Sequence, residues 1–84
     1  MSVHIEAYQT GPDSRTTLLS HDEESIREAI GYIRLTYNRE NNPGRMFVDI
    51  AGKCAQYDPW FMTFHKWFGS GWCQIHNPLY YFTH

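Results

Sequence analysis

Apolar and polar residues alternate in Val3-His4-Ile5-Glu6-Ala7-Tyr8, with Val3, Ile5 and Ala7 on one side of the chain. A period of two marks a strand buried on one face. Gly11-Pro12-Asp13-Ser14 is a turn cluster, because proline presets φ and aspartate bonds its own backbone. Arg15-Thr16-Thr17-Leu18-Leu19 then reads as the returning strand of an N-terminal hairpin.

The period then lengthens. Ile26, Ala29, Ile30, Ile33 and Tyr37 follow helical spacing and form one apolar face. Ser20-His21-Asp22-Glu23 has the form of a capping box, and Asp22, Glu23 and Glu24 suit the positive end of a helix dipole. These signals predict a helix over 21–39, stopped by Asn41-Asn42-Pro43-Gly44. Alternation returns in Met46-Phe47-Val48-Asp49-Ile50, where Phe47 shares the polar face with Asp49. Either a second layer covers that face or the Phe47 ring lies exposed.

Asp58-Pro59 has the form of a helix start, and Gly69-Ser70-Gly71 that of a stop. The segment between them predicts a short aromatic helix near 59–68, apolar nearly all round. Trp72–His76 and Leu79–Thr83 read as strands parted by Asn77-Pro78. The expected fold is therefore α+β. It is a small antiparallel sheet of three to five strands, with one long amphipathic helix packed on it and a second short aromatic helix. All of it falls in one compact domain, 1–84.

Composition narrows the class. With 42% hydrophobic residues, 17% aromatic residues and a net charge of −2, the chain does not belong with disordered sequences. No apolar run approaches the roughly 18–20 residues a bilayer demands, and no signal-peptide pattern opens the chain. No membrane association is expected, and the expected location is the cytoplasm. Residues 1–44 carry a formal −3 and residues 45–84 a formal +1. Neither half has the basic excess of a phosphate-contacting protein, so nucleic acid is not the expected partner.

Candidate chemistry is sparse. Cys54 and Cys73 are either reduced thiols or a single bridge closing a loop of roughly 20 residues. Cys54, His65, Cys73 and His76 supply the residue types of a tetrahedral zinc site, but only Cys73-x-x-His76 has close ligand spacing. Glycine-rich phosphate loops, H-E-x-x-H and calcium-loop patterns are all missing from the sequence. Gly69-Ser70-Gly71 lacks the outer glycines of a nucleophile elbow. No catalytic residue, metal or cofactor is therefore assigned. A small zinc-binding or catalytic domain built on those four residues is the alternative.

Aromatic placement then redirects the question. Ten of the fourteen Phe, Trp and Tyr residues fall within 57–84. A chain this short cannot enclose them all, and Tyr and Trp are enriched where proteins meet. The expected function is a non-enzymatic protein-binding module, a small inhibitor that blocks a partner's surface. Compact inhibitors of the anti-CRISPR or immunity type share this size and profile. The expected partner is another protein, with a homodimer through the aromatic helix as a further arrangement. The candidate binding residues are Glu24, Glu28, Tyr32, Leu35, Trp60, Trp67, Tyr80 and Tyr81.

Overall fold

The computed structural model describes residues 2–84. Its strands are β1 (Val3–Thr10), β2 (Arg15–Glu23), β3 (Met46–Ile50), β4 (Lys53–Asp58), β5 (Thr63–Phe68) and β6 (Gly71–Ile75). Helix α1 (Ile26–Thr36) lies between β2 and β3, and α2 (Pro78–Thr83) follows β6. All six strands join one sheet in the order β2-β1-β3-β4-β5-β6, and every pairing is antiparallel.

This corrects the expected architecture. The sheet has six strands rather than three to five, and the amphipathic helix has 11 residues. The fold is mostly sheet. The expected aromatic helix near 59–68 is instead a turn followed by β5, whose Tyr57↔Phe64 register extends the sheet beyond β4. The segment Leu79–Thr83, read as a strand, is helical. Asn77 caps that helix by accepting the Tyr80 amide at 3.1 Å, and Pro78 occupies its first turn. The homodimer expected of an aromatic helix at 59–68 has no such helix to form it.

Helix α1 is shorter than expected at its N-terminal end. Ser20 to Glu23 continue β2, pairing with Glu6 through Val3 on β1. The working cap is Ser25, whose Oγ accepts the Glu28 amide at 3.1 Å. Two successive S-x-x-E patterns, Ser20–Glu23 and Ser25–Glu28, thus compete, and strand pairing takes the first. At the other end Asn38 and Asn41 donate side-chain amides to the Leu35 and Thr36 carbonyls at 3.1 and 2.7 Å. These bonds satisfy carbonyls that the helix end leaves open.

The hairpin turns are set by backbone sign. Ala51 and Gly52 both have positive φ, +54° and +81°, as a two-residue I′ turn requires. Gly69 at φ +63° opens the equally short β5–β6 turn.

One face of the sheet is covered by both helices. Ile5 and Ala7 from β1, Met46, Val48 and Ile50 from β3, Ala55 and Tyr57 from β4, and Phe64 from β5 line it. Ala29, Ile30 and Ile33 of α1 and Phe82 of α2 close over them. Tyr57 is fully buried, and its hydroxyl donates to the Tyr37 carbonyl at 2.7 Å. Burial pushes the Tyr57 phenol up to about 12. Phe64 sits between Tyr57 and Phe82, at centroid distances of 4.9 and 5.5 Å, and so joins the two helices' cores.

The other face carries no helix. There His4 Nδ1 lies 2.8 Å from Asp22 Oδ1, and His4 Nε2 lies 3.5 Å from Glu6. The Asp22 hydrogen bond, then that of Glu6, raises the His4 pKa above the ordinary 6.5. A raised histidine pKa contributes stability that is complete below the unfolded value and fades as pH climbs through the folded one. NMR titration should therefore place the His4 midpoint above 6.5, and Asp22→Asn should bring it back down. A wild-type midpoint at or below the ordinary value would contradict this pairing.

Candidate functional site

Aromatic rings form a row on the uncovered face. Tyr8 stacks on Phe47 at 5.7 Å, Phe47 meets Trp72 at 5.9 Å, and Trp72 meets Trp67 edge-on at 5.5 Å. Phe47 therefore has neither a second layer nor full exposure, because side chains of its own face flank it. Phe47 and Trp72 stand on β3 and β6, so their rings lean together across β4 and β5. Gln56, paired with Phe47 in register, is left only 8% exposed. At the edge of this row a cavity of about 430 Å³ opens between the α1–β3 loop and β4–β6. Arg45, Gln56, Asp58, His65 and Trp72 line it.

A second feature is the turn between β4 and β5. Asp58 Oδ1 accepts the Trp60 amide at 2.9 Å, an aspartate turn that reverses the chain after Pro59. Met62 then takes φ +56°, a left-handed conformation seldom adopted by a residue with a side chain. Two arginines hold this shape from behind. Arg34 Nε donates to the Met62 carbonyl at 3.1 Å, and Arg39 Nε donates to the Trp60 carbonyl at 3.0 Å. The Arg39 guanidinium also lies 4.9 Å from the centre of the Trp60 ring. Among the described residues, neither arginine has a carboxylate partner. The turn thus presents Trp60, Phe61 and Met62 to solvent in succession, with Phe61 64% exposed.

The expected binding residues divide by place. Leu35, 80% exposed, follows Arg34 in the last turn of α1, the end of the helix whose Arg34 holds the turn. Trp67 is exposed but stands near the β5–β6 turn, at the other end of β5. Glu24 and Glu28 are exposed at the start of α1. Tyr32 is engaged, stacked on His21 at 3.9 Å. Tyr81 is engaged as well: its hydroxyl donates to the Cys54 carbonyl at 2.7 Å, and Lys53 and Lys66 flank its ring. Tyr80 is exposed and stacks on His84. The eight positions therefore do not form one surface.

Phe61, Met62, Arg34 and Arg39 were not among the expected binding residues. Reading 59–68 as a helix buried Phe61 on its apolar face and removed the turn that exposes it. The available signal was the aromatic enrichment of Thr63–Phe68, which favours a strand over a helix. Nothing in spacing alone points from Arg34 or Arg39 to a carbonyl more than twenty residues away.

The four zinc-type residues are not brought together. Cys54 and His65 point to the uncovered face, whereas the register Lys66↔Cys73 places Cys73 on the helix face. Among the described residues, no three His, Cys, Asp or Glu side chains are grouped to hold a metal ion. Both cysteines are free thiols. Burial pushes the Cys54 thiol above its ordinary pKa, so the nucleophilic thiolate is scarce at neutral pH.

Comparisons with protein-family models, curated proteins and solved structures find no match for this chain. No helix among the described residues is long and apolar enough to cross a membrane.

Proposed function

We propose that this protein is a non-enzymatic binding module that blocks a partner protein by seating the Trp60-Phe61-Met62 turn in an apolar cleft. The observation that carries this reading is a turn of three exposed large side chains, pinned by Arg34 and Arg39. Exposed apolar side chains on a mobile loop would lose conformational entropy on docking; a turn already held in place loses less. Trp and Arg are also the residue types on which binding energy concentrates. The two guanidiniums, free of carboxylates, favour a partner cleft with an acidic rim. Free thiols at Cys54 and Cys73 suit a reducing compartment, and we place the protein's action in the cytoplasm.

Site-specific photocrosslinking in cells tests this reading. A photoreactive side chain at Phe61 should capture one protein reproducibly, and the same group at exposed Thr16 on β2 should not. Equal capture from both positions, or none from Phe61, would remove the turn as the binding element.

A further inference from the structure

The cavity beside Trp72 has features that protein docking at the β4–β5 turn does not require. Gln56 is 8% exposed, and among the described residues its side-chain amide has no hydrogen-bond partner. Its polar atoms keep their solvent access through the cavity they line. Solvent satisfies the amide there, and a ligand entering the cavity would take over those hydrogen bonds. Gln56 is therefore placed to meet a ligand.

The surrounding groups define that ligand's chemistry. Trp72 is 41% exposed and offers a broad ring as one wall. Arg45 stands at the mouth with no carboxylate partner among the described residues. Asp58, the one carboxylate lining the cavity among the described residues, already has Oδ1 committed to the Trp60 amide. His65 Nε2 is engaged with Thr63 Oγ1 at 2.9 Å, which leaves Nδ1 unengaged. The site thus combines a stacking surface, an amide offering both donor and acceptor, and an unpaired cation. Its volume of about 430 Å³ suits a single small molecule rather than a polymer.

We infer that this cavity binds a purine nucleoside monophosphate. The base stacks on Trp72, as bases do on exposed aromatic side chains. Gln56 pairs with the base edge, and a glutamine amide matches the donor and acceptor of adenine. Arg45 receives the phosphate, whose oxygens match its planar donors. A neutral sugar would leave the Arg45 charge without a counterpart, so the anionic ligand is favoured.

Titration of the intact chain with adenosine monophosphate, followed by NMR, tests the assignment. Saturable shifts are expected at the Gln56 side-chain amide and the Trp72 indole. Adenosine should bind about tenfold more weakly, the loss of one charge-assisted contact. Arg45→Ala should weaken the monophosphate to the level of adenosine and leave adenosine unchanged. Gln56→Leu should abolish both. If Gln56→Leu fails to fold, the exposed Arg45→Ala still decides, since its effect must be confined to the phosphate-bearing ligand. No saturable shift at millimolar nucleotide, shifts confined to other residues, or equal binding of glucose would each overturn the proposal.

Discussion

Phe64→Ala is expected to lower the free energy of unfolding by about 3–5 kcal/mol, the usual cost of emptying a buried phenylalanine site. Phe64 has no solvent exposure and packs on Tyr57 from β4 and Phe82 from α2. Its loss therefore opens a void where the β4–β5 pairing meets the C-terminal helix. At roughly 4–8 °C per kcal/mol for a domain of this size, the melting temperature should fall by tens of degrees. Phe68→Ala is the matched control, because that ring is 70% exposed. It should change stability by no more than about 0.5 kcal/mol. Thermal and denaturant melts of the two variants would contradict the packing if they were displaced equally.

Partner affinity should collapse when the β4–β5 turn is altered, while the melt stays in place. Trp60→Ala and Phe61→Ala are each expected to weaken binding to the crosslinked partner by about 2 kcal/mol or more, roughly thirtyfold. Both side chains are at least half exposed, so neither substitution empties the core. Trp67→Ala, equally aromatic and exposed but displaced along β5, should leave affinity unchanged. Calorimetry on purified components would remove the turn from the interface if the Trp67 variant were the weaker binder.

The parts of this fold legible in the sequence are those where side-chain period and burial agree. Val3–Tyr8 and Met46–Ile50 alternate because only one face of each strand meets the helices. Ala29, Ile30 and Ile33 keep helical spacing because they cross that same face. Misreading comes where one local signal serves two structures. An Asx-Pro pair predicts a helix start at Asp58-Pro59 and a break between strands at Asn77-Pro78; the structure uses them the other way round. At Asp58 the side chain closes a turn, and the following chain pairs with β4; at Asn77 the side chain caps α2, which packs Phe82 into the core instead of adding a strand to the open edge of β6. The candidate site was partly legible for the same reason. Exposed Leu35 and Trp60 could be anticipated from apolar excess, but Gln56 could not. Its isolation depends on Phe47 and Trp72 meeting across two intervening strands.

The strand order also governs how the chain reaches this state. Five pairings build the sheet, and four of them join strands consecutive in the chain. β3 to β6 form an unbroken meander whose turns are two to four residues long. Such local closures lose little chain entropy and form quickly. β1 with β3 is the exception, since Tyr8 must find Phe47 across the whole of β2 and α1. By sequence separation, the β1–β3 pairing that joins the N-terminal hairpin to the meander is the one expected to form most slowly. That same pairing completes the helix face, setting Ile5 and Ala7 beside Ile50 and Val48.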